Sequence, residues 1–343
     1  LDYNTGIDFM KYGFFAKGER KFLDDNLGLS FGFRVDADSF SQGSSMMDNF
    51  SPRMALTYNL TEDQTWKINA SVGRYFKIPT YTMLGYQNSQ RRFVNKEAKY
   101  TRSDHLVAGL EYAPGNASRI TLEGFYKKYS QYPISLIDGV SLANKGGGFE
   151  VLGNEAISSD GKGKSYGVEA LYQQKLTKNF YGVFAYTYFH SQFTTTQGNY
   201  LPSVWDSRHL ISFSGGYKLK RNWEISARWR FSGKTPYVPV DQNATLAAYP
   251  EVVLDYNQLG NVKLDPFNLA DIRFDKKWNF KRYSFNFYFE IQNFFAQSVP
   301  RPDEYGLDRT EDGNLILPLN LVKVNTEENN NIPIPSFGFV IDF

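Results

Sequence analysis

The chain contains no cysteine. Disulfides and thiolate metal sites are therefore excluded. Its three histidines, His105, His190 and His209, do not pair at a metal-ligand spacing. It has no long apolar run, since its apolar stretches last a few residues where a spanning helix needs roughly 18. It has no large charge excess either. Lys plus Arg number 38 and Asp plus Glu 36, a balance that gives no support to nucleic-acid binding. The opening Leu1-Asp2-Tyr3 shows no charged n-region followed by an apolar h-region. If the protein is exported, its start is expected to lie outside this sequence. What the chain does have is aromatic side chains: 29 Phe and 24 Tyr help bring the aromatic fraction to 17%. Yet mean hydropathy is only -0.46. A transmembrane β-barrel reconciles these facts, because only every second residue of a strand faces lipid and aromatics collect at the two interfaces.

The period-two pattern is explicit. In 284–292, Phe285, Phe287, Phe289 and Ile291 alternate with Ser284, Asn286, Glu290 and Gln292, Tyr288 falling among the latter. In 223–232, Trp223, Ile225, Ala227, Trp229 and Phe231 alternate with Glu224, Ser226, Arg228, Arg230 and Ser232. Segments 66–73 and 29–36 repeat the theme, and weaker versions recur near 9–22, 51–60, 103–113, 119–130, 165–175, 180–193, 207–219, 267–278 and 335–343. The total is about thirteen strands.

Connections alternate in length. Short polar turns such as Asp24-Asp25-Asn26 and Lys220-Arg221-Asn222 alternate with longer loops at roughly 39–50, 77–101, 132–163, 194–205, 234–265 and 297–333. Short turns on one side and long loops on the other describe outer-membrane barrels. A soluble sandwich has similar strands, but not this alternation, nor tryptophans on a fully apolar face. The expected fold class is all-β, an antiparallel transmembrane barrel that spans residues 1–343. In hydrocarbon a sheet must close on itself to pair its backbone, so the polar alternates are expected to face a wet or plugged lumen. Those candidates are Arg34, Lys67, Glu111, Glu123, Lys127, Glu169, Arg228, Arg230, Asp271, Arg273, Asp275 and Glu290. Bacterial barrels have even strand numbers. An odd count whose first and last strands both run inward means either that one strand escapes the pattern or that earlier strands are missing, and the absent export signal favours the second.

Six stretches carry a resemblance. They are Ser51-Pro52-Arg53-Met54-Ala55-Leu56-Thr57-Tyr58; Val72-Gly73-Arg74-Tyr75-Phe76-Lys77-Ile78-Pro79; Leu106-Val107-Ala108-Gly109-Leu110-Glu111-Tyr112; Tyr166-Gly167-Val168-Glu169; Ser232-Gly233-Lys234-Thr235-Pro236-Tyr237; and Ile291-Gln292-Asn293-Phe294-Phe295. In order and spacing they resemble the barrel of TonB-dependent outer-membrane receptors. The resemblance implies a barrel of about 22 strands, an N-terminal plug and a TonB box, neither visible here, and no cofactor. It implies energised import of a scarce ligand (a metal chelate, cofactor, glycan or peptide). Implied partners are the TonB energy-coupling complex through a missing N-terminal region, outer-membrane lipid and lipopolysaccharide, and, in glycan importers, a surface lipoprotein. The alternative is a complete barrel of about 14 strands acting as a passive channel.

Other features have blander readings beside them. Phe337, Phe339, Ile341 and the terminal Phe343 share one face; this looks like the signal that barrel-assembly machinery reads, the alternative being one more amphipathic strand. Arg91, Arg92, Lys96, Lys99 and Arg102 form a basic run. It reads as a solvated loop, or as a contact for lipopolysaccharide phosphates or an acidic ligand. Gly161-Lys162-Gly163-Lys164-Ser165 ends like a phosphate loop, but Ser158 stands where the first glycine is needed, so a polar loop is expected. Ser207 and His209, two apart on one expected strand face, are reminiscent of barrel phospholipases. Asp206 alternates to the other face and nothing supplies an oxyanion hole, so no enzyme is expected.

Overall fold

A computed structural model describes residues 4–146, 151–324 and 332–343. Residues 1–3 lie outside it, as do 147–150 and 325–331 of two expected loops. The chain forms β1 (Lys11–Phe22), β2 (Leu27–Asp38), β3 (Ser51–Asn59), β4 (Trp66–Lys77), β5 (Thr101–Tyr112), β6 (Ser118–Ser135), β7 (Ile157–Thr177) and β8 (Phe180–Thr194). It continues with β9 (Tyr200–Pro202), β10 (His209–Lys218), β11 (Trp223–Ser232), β12 (Phe267–Asn279), β13 (Ser284–Gln292), β14 (Glu304–Leu307), β15 (Leu321–Val324) and β16 (Ile334–Asp342). Two short helices, α1 (Tyr81–Leu84) and α2 (Gln242–Ala248), sit in long connections.

Fourteen strands form one antiparallel sheet in chain order, with β9 added beside β8 and β14–β15 pairing separately. All thirteen expected strands are present. Among the described residues β1 ladders only with β2, and β16 only with β13. Apart from bulges at Tyr132 of β6 and between Gln174 and Thr177 of β7, the neighbour-to-neighbour ladders keep parity, so one face can be followed around the sheet. Ile68 pairs with Leu110, Leu110 with Leu122, Leu122 with Ala170 and Ala170 with Tyr186. Phe213 pairs with Trp229, and Phe289 pairs with Phe274 on one side and Phe337 on the other. Many of these side chains are bare; Phe337 and Phe339 are 77% and 67% exposed. Such an apolar surface is stable only against hydrocarbon or another apolar surface.

Two glycines let tyrosines lie across the ladder on the opposite face. A Cβ at Gly216 would sit 2.6 Å from the Tyr181 hydroxyl, and one at Gly338 2.5 Å from that of Tyr288. The rings cover the gap that glycine leaves in a strand.

One expectation fails here. Gly161-Lys162-Gly163-Lys164-Ser165 is no loop but lies inside β7, paired with Tyr132, Tyr129, Lys128 and Lys127 of β6. Its glycine–lysine alternation is itself period two, and the glycines make room. A Cβ at Gly163 would collide with the Phe193 ring, and one at Gly161 with the Tyr132 carbonyl. β6 and β7 thus extend beyond their neighbours as a tall hairpin.

Candidate functional site

The long connections gather at one end of the sheet, and most of the buried aliphatic core is there, not in the wall. Met83, Leu84, Val140, Leu142, Ala143, Val204, Leu259 and Leu321 are all buried. Side chains bind one loop to the next. Asn95 donates to the carbonyls of Met83 and Glu155 at 2.9 and 2.8 Å. Asn144 donates to the Pro202 carbonyl at 2.7 Å. The Tyr100 hydroxyl donates to Asp38 at 2.9 Å; burial, then the neighbouring Asp38, pushes that phenol up. Buried backbone needs such partners because no ladder serves it there.

Within this layer lies a chamber of about 350 Å³. Its walls include Tyr237, Val240, Leu254, Tyr256 and Tyr305, with Asn144 and Lys145 at one side. Residues 236–240 and 254–263 run against each other through bridges at Pro236–Lys263 and Val240–Leu254, while β14 brings Tyr305. The Lys145 ammonium is held by Asp138 and Glu155, both at 2.6 Å, and lies 5.9 Å from the Tyr256 ring centre. Burial alone would lower the Lys145 pKa, but bonds to the two carboxylates offset that and raise it. Burial also raises the Tyr237 phenol. A second cleft of about 620 Å³ shares Tyr237 and Asp303 and is edged by Lys263, Asp265, Arg301 and Lys323. Aromatic walls beside a mixed charged rim suit capture of a ligand through stacking and ionic contacts. Among the described residues no group of three His, Asp or Glu could hold a metal ion.

The twelve polar candidates of the strands all fall on the face opposite the apolar one, as the ladders require. Several meet there. Arg228 reaches Asp271 at 2.9 Å, Arg273 reaches Asp275 at 2.8 Å and Glu290 at 3.8 Å, and Glu111 takes Arg119 at 3.0 Å and Lys67 at 3.9 Å. Arg34 pairs with Asp36, and Glu123 stands opposite Glu169. Lys127 lies over Phe125, and Arg230 stands across from Leu269. Phe337, Phe339 and Ile341 lie on the apolar face against Phe289, Phe287 and Phe285, with Phe343 fully exposed.

The basic run is dispersed. Arg91 and Arg92 are exposed in a turn, Lys96 lies 5.2 Å from the Phe40 ring centre, and the Lys99 amide bonds Ser159. Arg102 belongs to β5 and pairs with Asp104 at 2.6 Å. Ser207 and His209 do not share a strand face. Arg208 between them has φ 65°, which breaks the extended chain before β10 begins, so Ser207 is buried while His209 Nδ1 contacts the Tyr186 hydroxyl at 2.9 Å. The chamber residues were not foreseen. Their only sequence signal is a long loop containing Tyr237, Pro239, Val240, Leu254 and Tyr256, too apolar for a merely solvated connection.

Comparison with known proteins agrees with this architecture. A search among functionally curated proteins found no match. The pyoverdine outer-membrane receptor FpvA of Pseudomonas aeruginosa PAO1 superposes with TM-score 0.62 at 14% identity, over 98% of this chain and 42% of that one. The outer-membrane transporter YddB of Escherichia coli gives 0.59 at 14% identity, over 97% and 45%. The ferric-catecholate import receptor Fiu of E. coli K12 gives 0.60 at 12%, over 97% and 44%. The chain thus spans less than half the length of these structures, whose likeness carries the fold. The sequence model described as "TonB dependent receptor-like, beta-barrel" matches residues 1–294. The chain therefore belongs to the TonB-dependent receptor β-barrel family, whose members are outer-membrane transport receptors.

Proposed function

We propose that this chain is the later part of a plugged barrel of about 22 strands that imports a scarce ligand with energy delivered through TonB. The chamber among the loops carries this reading, because it places aromatic walls and a charged rim at the end of the wall where the long connections gather. On this reading the apolar face meets lipid and the ion-paired face lines the lumen. The edges of β1 and β16 support further strands between them, since an unpaired edge in hydrocarbon leaves a row of N–H and C=O groups without partners. Phe337, Phe339, Ile341 and Phe343 form the strand presented to the assembly machinery. The ligand is captured in the loops and descends when the plug moves, with no covalent step. Solved relatives include receptors of ferripyoverdine and ferric catecholate, so ferric chelates are the first class to try.

The test is transport by the complete gene product in cells. Radiolabelled ferric citrate and ferric catecholate are offered with and without the TonB complex. Uptake that stops when TonB is removed, and falls in Tyr256→Ala, is expected. Passage of small sugars that is indifferent to TonB, with no energised uptake, would instead favour the passive channel.

A further inference from the structure

Two spaces in the loop layer share one partition. Tyr237 and Asp303 border both the chamber of about 350 Å³ and the cleft of about 620 Å³. The two sides offer opposite charge. On the chamber side acceptors are in excess. Its cationic wall residue, Lys145, is already held by Asp138 and Glu155, both at 2.6 Å. Two carboxylates on one ammonium leave a net negative charge behind that wall, which repels an anion and attracts a cation. The buried Asn144 gives its amide protons to the carbonyls of Pro202 and Leu201, at 2.7 and 3.4 Å. That fixes which end of the amide is nitrogen, and its Oδ1, an acceptor, has no partner among the described residues. Tyr237, Tyr256 and Tyr305 complete the wall, and the negative faces of such rings attract a cation.

The cleft is the reverse. Lys263, Arg301 and Lys323 stand there against Asp265 and Asp303. Asp303 takes Lys323 at 2.6 Å, and Asp265 lies 3.9 Å from Lys234. Lys263 and Arg301 are exposed, and among the described residues neither makes an ion pair. A guanidinium presents a planar fork of donors that matches a carboxylate. Cations without carboxylates thus lie on one side of Tyr237, and acceptors without cations on the other.

We propose that the two spaces together hold one zwitterionic ligand, its primary ammonium among the chamber tyrosines beside Asp303, its carboxylate at Lys263 and Arg301, and its apolar middle against Tyr237. Each end supplies the charge that its side lacks, so a ligand of one sign satisfies one space and leaves the other unmatched. Among ferric chelates, those carrying both a free ammonium and a free carboxylate are preferred over those carrying one sign alone. This assignment rests on the reading that the loop layer captures the imported ligand.

The test uses the complete gene product purified in detergent, with binding read by calorimetry. Probes are the small zwitterion glycyl-phenylalanyl-glycine, its N-acetyl form, its C-terminal amide and the doubly blocked form. The free zwitterion is expected to bind, and each single block to weaken it at least about tenfold. Arg301→Gln is expected to weaken the free and N-acetyl forms about tenfold and to leave the amide unchanged. Asp303→Asn is expected to weaken the free form and the amide about tenfold and to leave the N-acetyl form unchanged. Arg92→Gln, elsewhere in the loops, leaves all four unchanged. Arg301 is exposed and makes no ion pair among the described residues, so its variant decides the matter if Asp303→Asn, which releases Lys323, does not assemble. No binding of the free zwitterion, or equal binding of the doubly blocked form, overturns the proposal. So does an Arg301→Gln variant that weakens the amide as much as the free form. The import reading is judged separately, by energised uptake of ferric chelates in cells. Uptake that depends on TonB without this two-ended selectivity overturns the proposal alone, and selectivity without energised uptake upholds it and overturns the import reading alone.

Discussion

The strand wall and the loop layer of this chain are held together by opposite means. The wall buries few side chains; every residue of β1 is exposed. Its cohesion is the backbone ladder, and its apolar side chains wait for lipid. The loop layer has little ladder and behaves like a small soluble core, with Leu84, Ala143, Asn144 and Ser203 fully enclosed. A substitution in the wall is therefore judged by which face it falls on. In the loops it is judged by burial and by the hydrogen bonds it removes.

The largest expected effect breaks the wall itself. Residues 1–343 expressed alone are expected to give no heat-modifiable barrel, because β1 and β16 would each keep an open edge in lipid. The complete gene product should give one. A ladder joining β1 directly to β16 in an experimental structure of 1–343 would refute this.

Leu84→Ala tests the other region. Truncating a fully buried leucine costs about 2–5 kcal/mol. Because the layer is separate from the wall, the expected loss is local: faster proteolysis within the long loops, with the barrel's heat-modifiability kept.

A third substitution sharpens the face rule. Phe287 lies among Lys276 and Phe339 on the apolar face, and arginine at the lipid midplane costs about 2–4 kcal/mol. Phe287→Arg should impair assembly, while Glu290→Gln on the opposite face should assemble normally. Equal yields in outer-membrane fractions would sink the assigned register.

The smallest effect is a pH dependence confined to the loops. Asp206 is buried before β10, which raises its carboxyl above the usual 3.8 despite Arg208 at 3.2 Å. A carboxyl with a raised folded pKa holds its proton more tightly when folded. Its cost is absent below 3.8 and appears as pH climbs through the folded pKa. Resistance of the 195–208 segment to proteolysis should thus rise as pH falls through that window. Asp206→Asn should flatten the profile, and an unchanged profile would remove Asp206 as its cause.

Much of the wall could be read residue by residue. Period two assigns Phe285, Phe287 and Phe289 to one face and Glu290 to the other, whatever the neighbours are, because successive side chains of a strand must point apart. The same rule puts Arg228 and Arg230 on one face of β11. It failed at Gly161–Ser165, where loop-like composition concealed a strand whose alternating lysines lay in plain view. It also failed at Ser207–His209, where a single left-handed residue, Arg208, ends the alternation.

The sequence by itself determined the strands, their faces and the alternation of turns and loops, since each depends on near neighbours and on the medium that each face meets. Only the tertiary structure decided the rest. Lys128 and Lys164 are opposed because of a cross-strand register, not a spacing along the chain. The chamber unites Lys145, Tyr237, Tyr256 and Tyr305 from three separate connections. Such loops carry no periodicity, and their packing is set by contacts between residues far apart in the chain, which no local pattern encodes.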